Sequence, residues 1–336
     1  MNDDLLPVQR VGDVEEQQGV RWLVDGLWTE QGVGFLCGSP KSSKTWLALD
    51  LALSVATKTA ALGTHEVAAP GAVLLFAAED APAMVRSRLA GMARQRGLSL
   101  GDLPIHLVLQ RSLRLESRKD QARLLATVAR YRPKLLVLDP FVRLTSIDEN
   151  SSLEVSSVLA YLRAMQTEYA VAILVVHHAR KASSNGNAGG LALRGSGDFW
   201  AWSDSNLFLS RKQDRLQLAI EHRSAAAPEP VALELCCELP TGPYLRRCEG
   251  SVEQPNEQSL TDRILDALPV AGEPRRLEEL RRELRVRMQT LVDALRELEH
   301  DRLVQREAGR WSRCTAPTTF SGETEAGSAE EHPAEG

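Results

Sequence analysis

No apolar run in this 336-residue chain approaches the ~20 residues that a membrane span needs. The N-terminus, Met1-Asn2-Asp3-Asp4, is acidic and lacks the apolar core of a signal peptide, which points to a cytoplasmic protein. Cysteine is scarce. Cys37, Cys236, Cys237, Cys248 and Cys314 show no C-x-x-C spacing and no paired histidine ligands, so reduced thiols are expected rather than a zinc site or a disulfide framework. A basic excess is missing as well. The formal charge is −5, and residues 315–336, with five Glu and no Lys or Arg, account for all of it. The remainder is neutral, so any case for nucleic acid has to come from local clusters. What is present, 43% hydrophobic and 25% charged residues, is the composition of an ordinary soluble protein with ample core.

The most informative stretch is Gly38-Ser39-Pro40-Lys41-Ser42-Ser43-Lys44-Thr45. It follows the apolar run Val33 to Cys37 and leads into a helical pattern from Thr45 to about Thr57. Strand, tight loop and helix are the context of a phosphate-binding P-loop. Backbone N–H groups of such a loop converge on phosphate oxygens. Lys44 would add charge at the β/γ-phosphates, and the Thr45 hydroxyl would ligate Mg²⁺. One position departs from G-x-x-x-x-G-K-[ST]: Ser43 stands where the second Gly belongs and brings a Cβ into the turn.

Elsewhere strands alternate with helices. Residues 1–20 are polar and aperiodic, a flexible arm, and Arg21 to Trp28 is a half-buried lead-in to the first strand. Gly71 to Ala78 is a strand ending in Glu79-Asp80, and Pro82 opens a helix. Lys119 to Arg130 is an amphipathic helix with Ala122, Leu125 and Val128 inward. Leu135-Leu136-Val137-Leu138 is a strand ending on Asp139, and Ala170 to Val176 is a strand ending in His177-His178. Later strands are expected near Leu207 to Ser210, Leu216 to Glu221 and Val231 to Leu235. The pattern predicts an α/β domain over 21–253, a mostly parallel sheet covered by helices, with functional groups at strand C-termini.

Those strand ends carry the candidate chemistry. Asp139 has the form of a Walker B carboxylate that holds Mg²⁺. Glu79 is placed to orient or deprotonate a water, the alternative being a solvated strand end with Asp80 capping the next helix. Of the two histidines, which face opposite ways along a strand, His178 is the one expected to meet a γ-phosphate. Residues 181–190, rich in Gly, Ser and Asn and edged by Arg180, Lys181 and Arg194, read as a mobile loop: a nucleic-acid contact or a bare surface loop. Arg194 could supply charge to a neighbouring subunit's phosphates as an arginine finger, with Arg211 competing.

After a polar linker at 254–257 the pattern changes to three short helices and a hairpin over 257–314, the outline of a winged helix-turn-helix. Six arginines between Arg275 and Arg287, with Arg306, Arg310 and Arg313 on the wing, suggest a DNA face. Equal numbers of Arg and acidic residues, twelve each, leave a protein-docking module open. Residues 315–336 are expected to be disordered.

From Trp22 to Glu238 the chain resembles the RepA-type AAA ATPases, in the RecA/DnaB-like group that contains plasmid replicative helicases. The P-loop, Val-Leu-Leu-Phe-Ala-Ala-Glu-Asp, Leu-Leu-Val-Leu-Asp, Val-Val-His-His and the Gly-rich loop before Arg194-Gly195-Ser196 carry the resemblance. It implies phosphate binding by Lys44, Mg²⁺ binding by Thr45 and Asp139, catalysis by Glu79, sensing by His178 and a finger role for Arg194. It also implies ring hexamers with ATP between subunits and single-stranded DNA in the channel. The expected function is an ATP-dependent DNA motor of the replicative helicase type. The alternative is a nucleotide-gated DNA-binding or loader protein that does not unwind.

Overall fold

Alternation along four apolar strands decides the architecture of the N-terminal unit, because successive side chains leave a strand on opposite faces. These strands are β3 (Val33–Gly38), β4 (Val73–Ala77), β6 (Leu135–Asp139) and β7 (Ala172–His178). Leu36, Leu75, Val137 and Leu174 enter a core beneath the helices α1 (Lys44–Thr57) and α2 (Pro82–Gln95). Phe35, Leu74, Leu138 and Val175 enter a second core on the other face, with α3 (Arg118–Tyr131), α4 (Phe141–Leu144), α5 (Ser152–Tyr169) and α6 (Asp198–Trp202). A sheet buried on both faces needs apolar residues at every position, which is why these runs are continuous rather than alternating.

The computed structural model describes residues 8–16, 19–110, 112–178, 197–212, 215–238, 242–248, 260–268, 273–284, 286, 288–301 and 303–314. Compact units comprise residues 1–252 and 253–336. Among the described residues the first holds a nine-stranded sheet, completed by β5 (Ile105–Leu107), β8 (Ser205–Lys212), β9 (Arg215–His222), β10 (Val231–Glu238) and β11 (Gly242–Arg247). The order is β11-β10-β9-β8-β3-β7-β6-β4-β5, parallel from β8 to β5 and antiparallel from β8 to β11. The α/β, mostly parallel sheet expected from the sequence is therefore present, with an antiparallel extension along one side.

Three local expectations are corrected. The lead-in at Arg21 to Trp28 is a small hairpin of its own, β1 (Trp22–Val24) with β2 (Trp28–Thr29), and Leu23, Val24, Leu27 and Trp28 are fully buried. On α3 it is Leu124 and Val128 that are buried, while Ala122 is exposed; the inward stripe is rotated because the larger Leu124 takes the core. No side chain caps α2, whose N-cap is Ala81; the Asp80 carboxylate instead holds Arg88. The exposed stretch 8–16 contains one short 3-10 turn, Val11–Asp13. The loop at 181–190, the linker at 254–257 and the tail at 315–336 lie outside the described residues.

The C-terminal unit has α7 (Leu260–Ala267), β12 (Arg275–Arg276), α8 (Leu277–Leu284), α9 (Met288–His300), β13 (Val304–Glu307) and β14 (Arg310–Arg313). Its sheet, ordered β12-β14-β13, is antiparallel. Ile264, Leu280, Leu291, Leu295, Leu298 and Trp311 form a core that shares no residue with the two cores of the first unit. Separate cores mean separate cooperative units. A chain ended after Val252 is therefore expected to remain folded and to keep a single cooperative unfolding transition by near-ultraviolet circular dichroism. A truncated chain that loses its tertiary signal would contradict this division.

Candidate functional site

The four parallel strands β3, β4, β6 and β7 end at one edge of the sheet, and the candidate residues follow from those ends. Gly38 closes β3 where β8 approaches closely: a Cβ there would collide with the Leu209 carbonyl and come within 2.6 Å of Ser42 Oγ. The chain then turns through two left-handed residues, Lys41 (φ 62°) and Ser43 (φ 66°), into α1. Ser43 thus adopts the conformation for which a glycine is the unstrained choice, at a cost of ~1 kcal/mol. Its side chain makes no cap, and Ser43 to Trp46 line the cleft, which puts the helix terminus where such termini bind anions.

Lys44 lies in the first turn of α1, only 5% exposed. Its ammonium donates to the carbonyls of Gly38 at 3.0 Å and Ser39 at 2.7 Å. Burial pushes the ammonium below its ordinary range, while the nearby Asp139 carboxylate pulls it back up. A buried cation held by its own loop's carbonyls and, at 3.5 Å, the Ser42 hydroxyl has the geometry to trade them for an anion.

Beside it, the Thr45 hydroxyl donates to Asp139 Oδ2 at 2.8 Å, joining the helix to the end of β6. Asp139 is buried, and that burial raises its carboxyl to about 6, against the lowering effect of the Thr45 bond; Asp80 and Glu79 push it up further. The Ala78 N–H donates to the Asp139 carbonyl at 2.7 Å, which seats the Glu79-Asp80 corner next to this carboxylate. The Glu79 carboxylate is half exposed and accepts from Arg143 Nε at 3.0 Å, with His178 Nε2 4.0 Å away. Burial, reinforced by Lys44, holds His178 below the usual imidazole range, which favours its neutral form. Its Nδ1 is buried without a hydrogen-bond partner among the described residues. His177 turns the other way, among Phe35, Phe141 and Phe199.

Lys44, Thr45, Glu79, Asp139 and His178 thus line one cleft of about 300 Å³. The donor set fits Mg²⁺. Thr45 and Asp139 are hard oxygen ligands already in contact, in a cleft where the carboxylates of Glu79 and Asp80 add negative charge. Mg²⁺ ordinarily keeps several waters and takes substrate oxygens, so one or two protein oxygens are enough to hold it. Arg194 lies outside the described residues. Arg211, exposed near the end of β8, is two residues beyond the Leu209 that pairs with Gly38.

A family model described as an AAA domain matches residues 4–184. The chain belongs to this AAA-domain family. The matched stretch includes the P-loop, Glu79, Asp139 and His178, and it stops short of Arg194 and of the C-terminal unit. Among solved structures, the chain is similar to that of a DnaB-like replicative helicase described with its interactions with primase. The identity is 16% and the TM-score 0.49, over 62% of this chain and 56% of that one, a likeness too distant to bear on function. No curated protein matches the chain significantly.

Sequence reasoning missed Arg143, Arg88 and Trp46. Arg143 meets Glu79 from 64 positions away, a distance at which no local pattern signals a pair. Arg88 was hidden by its place in a helix whose other arginines are exposed, and Trp46 by the apolar run that follows it.

Asp139 gives a measurable pH dependence. A carboxyl raised in the folded state from 3.8 to about 6 contributes stability that is complete below the unfolded value and lost as pH rises through the folded one. Without metal or nucleotide, this group is expected to cost the protein about 1–2 kcal/mol between pH 5 and 7.5. Asp139→Asn, which keeps an acceptor for Thr45, should remove that part of the slope in denaturant titrations with chelator. Parallel pH curves for the two proteins would contradict the assignment.

Proposed function

We propose that this AAA-domain protein is a RecA-like, RepA-type ATPase that assembles as a ring, with each nucleotide site completed by a neighbouring subunit, and that it works on DNA as a motor in the cytoplasm.

 The observation that carries the proposal is the convergence of Lys44, Thr45, Glu79, Asp139 and His178 on one cleft at the C-terminal edge of the parallel strands. In this reading the uncapped first turn of α1 and Lys44 bind the β/γ-phosphates of ATP. Thr45 and Asp139 would hold Mg²⁺, which supplies positive charge against the triphosphate when bound. Glu79 orients or deprotonates the attacking water, and a neutral His178 donates to a γ-phosphate oxygen and so registers its presence. Arg194 of a neighbouring copy supplies charge to the γ-phosphoryl group as an arginine finger, and single-stranded DNA lies in the ring's channel.

The C-terminal unit is read as a winged helix. Several of its arginines are already engaged: Arg275 with Glu283 at 2.5 Å, Arg310 with the Pro274 carbonyl, Arg313 with the Leu265 carbonyl, and Arg306 over the Trp311 ring. Arg281 and Arg282, exposed on α8, are better placed for duplex phosphates. The chain ended after Val252 is expected to lose duplex binding; unchanged binding would make the unit a protein-docking module.

A second reading has its own observation. Glu79 is tied to Arg143, as befits a nucleotide-gated loader that hydrolyses slowly. Turnover separates the two: hydrolysis stimulated by single-stranded DNA, in a species of ring mass, supports the motor. Tight ATP binding without turnover supports the switch. For the motor, Arg194→Ala should bind ATP yet lose ~10³-fold or more in hydrolysis. Glu79→Gln should be inactive through its own site. Mixed rings pair an intact Glu79 with a neighbour's intact Arg194, so mixing the two variants should restore part of the activity. Subunit exchange, shown with labelled proteins, without recovered hydrolysis would overturn Arg194 in trans.

A further inference from the structure

Trp46 follows Thr45 directly, in the first turn of the helix that faces the phosphate cleft. It is only half buried, although the residues after it on α1 are enclosed. Its ring lies under the Arg88 guanidinium, whose carbon is 5.2 Å from the ring centroid. Arg88 in turn is fixed by two hydrogen bonds to the Asp80 carboxylate, at 2.5 and 3.3 Å. All three residues line the same cleft as Lys44 and Thr45. Among the described residues of that lining, Trp46 and His178, at the end of β7, are the aromatic ones.

We propose that Trp46 is the platform for the nucleobase, stacking a purine, with the Arg88 guanidinium, anchored by Asp80, packed on the same indole to orient it. This rests on the reading of the cleft as a nucleotide site. A nucleotide whose phosphates sit on the first turn of α1 has its base within a few bonds of that turn. Residue 46 leaves the helix about 100° round the axis from Thr45, clear of the Thr45–Asp139 pair. An indole face offers a base more stacking area than any other side chain, and a purine covers more of it than a pyrimidine. The carboxylate that holds Arg88 keeps the guanidinium from collapsing onto the phosphates, where Lys44 already acts.

The test measures binding by the full-length protein, with Mg²⁺, of ATP, CTP and inorganic tripolyphosphate, using calorimetry and tryptophan fluorescence. The wild type should bind ATP more tightly than CTP, with quenching of the indole signal by ATP. Trp46→Leu should weaken ATP roughly 10- to 100-fold, by the usual worth of a stacked base. It should erase the preference for ATP over CTP and leave tripolyphosphate affinity unchanged. Trp46→Phe should fall between. Arg88→Gln, which leaves the indole in place, should weaken ATP but not tripolyphosphate, and it decides the matter if Trp46→Leu does not fold. Equal ATP affinity in the wild type and in the folded Trp46 and Arg88 variants would overturn the platform while leaving the nucleotide site standing. A wild type that binds neither ATP nor tripolyphosphate would overturn both.

Discussion

Parallel strand pairing is the constraint on which the rest of the N-terminal unit depends. Parallel neighbours cannot be joined by tight turns, so each connection crosses a face of the sheet and returns to the starting edge. The strand C-termini consequently share the opposite edge, where Gly38, Ala77, Asp139 and His178 stand at or next to the ends of β3, β4, β6 and β7. Residues more than a hundred positions apart meet there because the backbone leaves them no other edge. The Thr45–Asp139 hydrogen bond, across 94 positions, is the direct product of that constraint.

The same edge is electrostatically unsettled without a ligand. Asp139 is buried close enough to Asp80 and Glu79 for both to raise its carboxyl. Lys44 turns inward to loop carbonyls, and His178 keeps one ring nitrogen without a partner among the described residues. Ser43 holds a left-handed turn that a glycine would adopt without strain. Each of these is a cost that the fold carries locally, and in the proposed reading each is relieved or used when an anion and a cation enter together. A strained turn and a buried carboxylate raised by two neighbouring ones, gathered in one cleft, are features that concentrate at functional sites.

Much of this architecture was legible in the sequence. Continuous apolar runs such as Leu135–Leu138 mark strands buried on both faces, and the P-loop marks the first strand–helix crossing. Other parts were hidden for physical reasons. Strand β11 opens with Gly242-Pro243 and carries Arg246 and Arg247, so it reads as a loop; it forms because β10 offers it an edge. The two residues of β12 are both arginines, held by pairing with β14 rather than by propensity. The role of Ala122 was misjudged because helical period alone does not say which of two adjacent stripes faces the sheet. The ion pairs Arg143–Glu79 and Arg88–Asp80 depend on side-chain placement that no spacing encodes.

The claim at the centre of this account is that the cleft binds a nucleoside triphosphate through Lys44. The most direct measurement is calorimetric titration of the protein and of Lys44→Ala with ATP and Mg²⁺. Saturable binding by the wild type, reduced by about 100-fold or more in Lys44→Ala with the fold intact, is the expected result, since removing a buried cation from a charge-assisted phosphate contact costs several kcal/mol. Equal ATP affinity in the two proteins, or no binding by either, would contradict it.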